Sequence, residues 1–243
     1  FSAVNSGGTR QVLTLRGVVD PKGAVREPVI AKFGDFSVEG PNLVVDREKN
    51  LITIDGQGVL RFPVDQDFSG KPLSPPQLAD IAFAEKAEFD GQKATCWGGV
   101  KASVLTNIIW AEQMNAVLNQ RIDFSADEPR TQGFGIDSLH CQDKVRVKFY
   151  EYSGDNVVEV MNANLHDFDL NQNTGDFVGT GPGKIQDWRR SGTRRMMMQP
   201  NTPARANRPA DTNREYEWEY VGIEFKDKLT GNVKQQWGKL NER

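Results

Sequence analysis

Regular alternation of apolar and polar residues over 81–124 constrains the fold more than any other feature of this sequence. Apolar residues occupy alternate positions from Ile81 to Phe89 and again from Ala94 to Val104, and most residues between them are polar. Successive side chains of a β-strand point to opposite faces of a sheet, whereas a helix repeats every 3.6 residues. The pattern therefore predicts strands that each have one buried face.

Local signals divide this stretch into separate strands. Asp90-Gly91 is typical of a hairpin turn, because both residues tolerate the positive φ of tight turns. Gly98-Gly99 lies inside strand-like sequence, where glycine marks a bulge or a close backbone approach. The alternation then resumes after Asn107 and continues to Phe124. Residues 110–119 have enough helix propensity to leave a helix as an alternative, but the strand-like sequence that follows favours a strand.

Similar units recur along the chain. An apolar strand, a polar turn and a glycine follow one another near 43–59, 87–100, 165–183 and 221–238. We interpret this as a degenerate internal repeat of hairpin-like units, which predicts an all-β, antiparallel fold. Residues 65–80 contain three prolines and are predicted to form a loop.

Composition and charge exclude some functions and set the expected domain organisation. A net charge of −3 argues against wholesale nucleic-acid binding, and no apolar run approaches the roughly 18 residues of a membrane span. The start at Phe1 without Met suggests a processed or excised fragment. We expect one β-domain over 1–190, a flexible Arg-, Met- and Pro-rich insertion at 191–215, and a final hairpin at 216–243 that returns to the same domain.

Four arginines border or lie within the insertion. Arg189, Arg190, Arg194 and Arg195 can contact anionic headgroups or an acidic partner. The two cysteines, Cys96 and Cys141, both lie on apolar parities. We expect buried free thiols, with a mutual disulfide as the alternative.

Candidate catalytic and metal-binding groups are few. Asp167 and Asp169 point the same way from a predicted strand, at a spacing that an inverting glycosidase can use. His140 and His166 have no sequence neighbours that suggest a catalytic triad or a zinc site. The sequence therefore predicts no enzyme, no metal site and no cofactor.

The repeated unit resembles a known family. AEFDGQKATCWGGVKA followed by IIWAEQMNAVLNQRIDF is similar to the repeat of the OstA-like family, the β-jellyroll modules of lipopolysaccharide transport that include LptA-type periplasmic bridges. Ala94, Gly99, Val100 and Ala102 match its first half. The second half is matched by Ala111, Glu112, Met114, Val117 and Leu118. The resemblance extends over most of 36–188 and over 216–238, and its specificity comes from repetition in order.

This resemblance implies a folded-over antiparallel β-jellyroll, or β-taco, whose inward face forms an apolar groove for lipid A, lipopolysaccharide or a similar amphiphile. It also implies a periplasmic or cell-envelope location in a Gram-negative-type bacterium, and edge-to-edge joining with like modules. The insertion suggests a larger or divergent envelope protein. The residues expected to line the groove are Ile81, Phe83, Ala94, Val100, Ala102, Val104, Met114, Ala116, Leu118, Ile122, Phe124, Val145 and Val147.

Two other interpretations remain open. The same inward face can close tightly, which would make the chain a structural or interaction module with an ordinary packed core. The recurring units can also belong to a β-helical carbohydrate-active enzyme that uses Asp167 and Asp169.

Overall fold

A computed structural model describes residues 12–20, 25–126, 135–190, 217–235 and 237–241. These residues form strands and turns without a helix, and every strand pairing among them is antiparallel. The predicted all-β, antiparallel fold is confirmed. The parallel β-helix required by the carbohydrate-active alternative is excluded.

The strands are β1 (Val12–Arg16), β2 (Val18–Val19), β3 (Val25–Glu27), β4 (Val29–Phe33), β5 (Phe36–Gly40), β6 (Asn42–Asp46), β7 (Leu51–Asp55), β8 (Gly58–Gln66), β9 (Pro72–Phe83), β10 (Lys86–Phe89), β11 (Lys93–Val104), β12 (Asn107–Leu118), β13 (Ile136–Gln142), β14 (Val145–Ser153), β15 (Asn156–Leu165), β16 (Asp167–Asn171), β17 (Asp176–Thr180), β18 (Gly183–Arg190), β19 (Trp218–Phe225), β20 (Lys228–Asn232) and β21 (Trp237–Asn241).

The large sheet folds over into two layers. Layer A has the strand order β1-β6-β7-β10-β11-β12-β13-β16-β17-β20-β21. Layer B has the order β4-β5-β8-β9-β11-β12-β14-β15-β18-β19. The long strands β11 and β12 run through both layers, so one continuous hydrogen-bonded sheet makes the fold. Strands β2 and β3 pair with each other and with no other described strand.

The chain passes from one layer to the other along a single side of the molecule, which we call the spine. Within β11 the passage occurs at Gly98 and Gly99, where φ is 81° and 62° and the pairing with β12 shifts register. The bulge predicted there is confirmed, since glycine adopts these angles without a Cβ clash. The other passages whose residues are all described are Pro41, 56–57, 84–85, Glu112, 143–144, His166, 181–182 and 226–227.

Two local predictions were wrong. The proline-containing stretch 65–80 is mostly strand, because β8 continues to Gln66 and β9 begins at Pro72. Pro75 and Pro76 are tolerated because the register with β8 breaks there and the pairing of β9 with β11 begins only at Ala79. In the other case, the strand predicted to continue over 119–124 is absent, since β12 ends at Leu118.

One hydrophobic core lies between the layers. The inward-facing side chains of both layers belong to a single buried cluster. Phe36 of layer B and Phe89 of layer A have ring centroids 4.9 Å apart, so the layers are in direct contact. Residues 110–119 lie within or next to β12, and the helix alternative for them is wrong.

Candidate functional site

The interior between the layers is the predicted ligand site, and its side chains are packed. Every residue predicted to line a groove faces inward, and each is at most 4% exposed. Central inward positions carry small side chains, which include Ala94, Ala102, Ala111 and Ala116. The arrangement therefore has the composition of a wide apolar groove but the burial of a closed core.

A returning segment closes the mouth, the side of the molecule opposite the spine, near its N-terminal end. We call residues 119–126 the N-terminal clasp. Its Phe124 packs against Phe33 and Phe36 of layer B and Phe89 of layer A, with ring centroids 4.9, 6.4 and 5.7 Å away. The clasp thus joins the two layers through aromatic contacts, and none of the described strands continues across it.

Asn50 holds the N-terminal clasp in place from the β6–β7 turn. Its side-chain amide donates hydrogen bonds to the backbone oxygens of Asp90 (2.9 Å) and Ile122 (2.8 Å). Its side-chain oxygen accepts the backbone N–H of Phe124 at 2.8 Å. One side chain therefore connects two turns of layer A to the returning segment.

A second closure, the central clasp, is the β8–β9 turn at 67–71. The Asp67 carboxylate accepts the backbone N–H groups of Ser69 (2.9 Å) and Lys71 (3.0 Å) and so shapes the turn. The buried Gln172 side chain, from the β16–β17 turn of layer A, donates to the Asp67 backbone oxygen. The two clasps therefore bridge the layers at two places along the mouth.

The two cysteines are buried free thiols, as predicted. Cys96 on β11 and Cys141 on β13 lie on either side of Met114 on β12 and are both paired with it. The two cysteines are therefore two strand spacings apart, about 10 Å. That separation is too large for a disulfide. Burial raises the pKa of Cys96 to about 12, and burial together with the nearby Asp169 raises the pKa of Cys141. Neither thiol has the low pKa of a nucleophile.

Charged side chains interrupt the apolar interior at the C-terminal end of layer B. Glu159 and Arg189 are directly opposite on β15 and β18, and they are only 2% and 4% exposed. Arg189 donates to Glu219 from Nη2 at 3.0 Å and from Nε at 3.2 Å, while its buried Nη1 has no hydrogen-bond partner among the described residues. Within the same part of the chain, neither carboxyl oxygen of Glu159 receives a hydrogen bond. Arg189, predicted to contact a headgroup, thus lies inside the molecule.

The pKa of Glu159 is raised to about 8. Burial is the largest cause, and the neighbouring Asp187 and Glu151 carboxylates add to it, while the Arg189 guanidinium opposes the rise. At neutral pH the carboxyl group is therefore mostly protonated, and in that form it can donate a hydrogen bond to Asp187. Sequence reasoning missed this cluster. The sequence does hold one indication of it: Asp187 and Arg189 alternate with Ile185 along the same strand, so they face the same inward side.

Histidine and aspartate side chains meet on the outer surface of layer A. His140 contacts Asp169, and His166 Nδ1 lies 3.0 Å from Asp167 Oδ1. The ligand atoms of Asp143, His166 and Asp167 all lie within 4.8 Å of one another. This nitrogen and oxygen donor set suits a divalent cation such as Zn²⁺. The sequence did not suggest this cluster, because Asp143 lies between β13 and β14 whereas His166 lies between β15 and β16. The two connections become neighbours only at the spine of the folded sheet.

The remaining predicted residues lie elsewhere. Arg190 is on the outer face of layer B, with its guanidinium 5.6 Å from the centre of the Trp218 ring. Arg194, Arg195 and the predicted insertion at 191–215 lie outside the described residues.

Neither a protein-family model nor a curated protein matches the chain. In the described part of the chain there is no helix with the length and hydrophobicity required to cross a bilayer.

Proposed function

We propose that this chain is a non-enzymatic β-jellyroll module of a cell envelope, which joins like modules end to end so that their apolar interiors become continuous. One observation carries the proposal. Both layers end in strands that pair on one side only among the described residues, namely β1 and β4 at one end and β19 and β21 at the other.

Such edges favour association. An edge strand presents a row of backbone N–H and C=O groups that can pair with a strand of another molecule. Because each end of this molecule offers two such strands, one junction can extend both layers at once. The resemblance of the repeats to OstA-like modules supports the same role and a periplasmic location.

Proline substitution in β4 tests the edge. Phe33 and Phe36 close a two-residue hairpin, so Ala31 directs its N–H group to β5 and Ile30 directs its N–H group to the free edge. The Ile30 side chain is exposed. We expect Ile30→Pro to remove one edge donor and to block association while the β4–β5 ladder is retained.

The measurement is molar mass by light scattering across a protein concentration series. Wild type should grow in mass as concentration rises, and so should the control Ile30→Thr, which changes the side chain but keeps the N–H group. Ile30→Pro should stay monomeric. A wild type that is monomeric at every concentration, or an Ile30→Pro variant that associates normally, would contradict the proposal.

The interior supports a second role, the binding of lipopolysaccharide or a similar amphiphile. The alanines along the inner face of β11 and β12 would leave room for an acyl chain if the layers separated. We expect native mass spectrometry to detect protein with bound lipid A after incubation. The variant Asn50→Asp, which removes two hydrogen bonds of the N-terminal clasp, should carry more lipid than wild type or the exposed control Asn156→Asp. Absence of bound lipid in all three proteins would contradict this role.

A further inference from the structure

The outer face of layer B carries an unusual set of outward-facing aromatic and basic side chains near its C-terminal end. We call it the aromatic-basic face, and define it by Lys148, Tyr150, Trp188, Arg190, Trp218 and Tyr220. These residues come from β14, β18 and β19, which lie within four neighbouring strands of the layer. Their parity is opposite to that of the buried core, so all six point away from the interior.

Rings and cations are interleaved on this face. Trp188 is directly opposite Tyr220, and their ring centroids are 5.2 Å apart. Lys148 Nζ lies 5.0 Å from the centre of the Tyr150 ring. In the adjacent row, Arg190 and Trp218 form the cation–π pair described above. These pairs keep the cationic groups at the surface beside the rings.

Two of the four aromatic side chains of this face are too exposed to be explained by the core, while Tyr150 and Trp188 are half-buried. Trp218 and Tyr220 are 47% and 53% exposed, and the neighbouring Tyr152 is also exposed. Large aromatic residues normally bury most of their surface. A cluster of exposed rings on one flat face is typical of an interaction surface.

Charge separates across the two layers. The outward residues of β14, β15, β18 and β19 include four cations and one acid, Glu224, which pairs with Lys184 at 2.9 Å. On the opposite surface, the outward residues of β16 and β17 form an acidic surface of Asp167, Asp169 and Asp176 without Lys or Arg, and the outward Lys228 and Lys239 follow only on the next two strands, β20 and β21. A chain with a net charge of −3 therefore presents one locally positive surface.

We propose that the aromatic-basic face docks on the surface of an anionic lipid bilayer. Trp and Tyr suit the membrane–water interface, because each has an apolar ring and one polar group. Lys and Arg are attracted by anionic headgroups over roughly one Debye length. The acidic surface of layer A then faces away from the membrane. This docking does not depend on the interior or on the sheet edges.

The test is co-sedimentation of the whole chain with lipid vesicles at low salt. Wild type should bind vesicles of mixed phosphatidylglycerol and phosphatidylcholine, should bind pure phosphatidylcholine weakly, and should be released as salt rises. The double variant Lys148→Gln with Arg190→Gln should weaken binding by roughly tenfold or more. Trp218→Ala with Tyr220→Ala should also weaken it.

Layer A offers a matched control. Lys86 Nζ lies 4.2 Å from the centre of the Trp97 ring, which makes a pair of the same kind on the other outer surface. Lys86→Gln with Trp97→Ala should bind vesicles like wild type. All these side chains point outward, and circular dichroism with urea unfolding will establish that each variant folds.

Several results would overturn the proposal: no binding of wild type to anionic vesicles, equal binding to neutral vesicles, or equal losses in the face variants and the layer A control. Binding to dextran sulfate without binding to vesicles would assign the face to an anionic polysaccharide. Association through the acidic surface of a second copy would appear as salt-sensitive oligomers without vesicle binding. Ile30→Pro should still bind vesicles, so failure of edge pairing and failure of docking are distinguishable.

Discussion

At the scale of single residues, Glu159 makes the strongest prediction about pH. The folded state raises the pKa of this carboxyl group to about 8 from an ordinary value of 4.5, mainly through burial. Between these two values the folded protein holds a proton that the unfolded chain releases. The free energy of unfolding should therefore fall as pH rises through this window, by at most about 1.4 kcal/mol per pH unit from this group.

Replacement of Glu159 by Gln should remove this contribution, because Gln has a similar shape and carries no titratable proton. We expect the urea midpoints of wild type and Glu159→Gln to be closest near pH 5, with the variant becoming the more stable protein as pH approaches 8. Glu88→Gln, on the outer face of layer A, serves as the control and should retain the wild-type slope. Parallel slopes for wild type and Glu159→Gln would show that Glu159 does not hold a proton in the folded state.

At the scale of strands and turns, the period-2 pattern predicted what depends on local chemistry. It placed the turn at Asp90-Gly91, the bulge at Gly98-Gly99 and the strand character of β12, because side-chain alternation and positive φ are properties of short segments. The expected groove residues that lie on strands are buried between the layers, as their alternation indicates.

Features that depend on distant partners were not predictable in this way. Ile122 and Phe124 are buried because a returning segment crosses the mouth, although their alternation is typical of a strand. Proline at 75 and 76 suggested a loop, since the sequence does not show where β9 lacks a second neighbour. Whether the two layers are separated or packed together depends on the clasps, which connect residues far apart along the chain.

At the scale of the whole molecule, the two sides of the folded sheet are held differently. Along the spine, covalent passages of the chain join the layers, and backbone hydrogen bonds such as Ala84 N–H to Gly98 O (2.7 Å) continue the ladder between them. At the mouth, the described contacts that join the layers come from the Phe124 ring and the Gln172 side chain, while a backbone hydrogen bond from Ile122 N–H to Gly91 O (2.7 Å) holds the N-terminal clasp to layer A. Opening should therefore begin at the mouth, with the spine as the hinge.

Asn50→Asp tests this order of opening. Asn50 has a φ of 52°, which Asp also tolerates, so the variant keeps the turn and the acceptor for the Phe124 N–H while it loses both donated hydrogen bonds. Two backbone oxygens then face a carboxylate, at a cost of about 1–3 kcal/mol. Hydrogen-exchange mass spectrometry should show faster exchange in the clasp at 119–126 and unchanged exchange at the spine around 96–101. Uniformly faster exchange would instead mean that the layers separate only when the entire sheet unfolds.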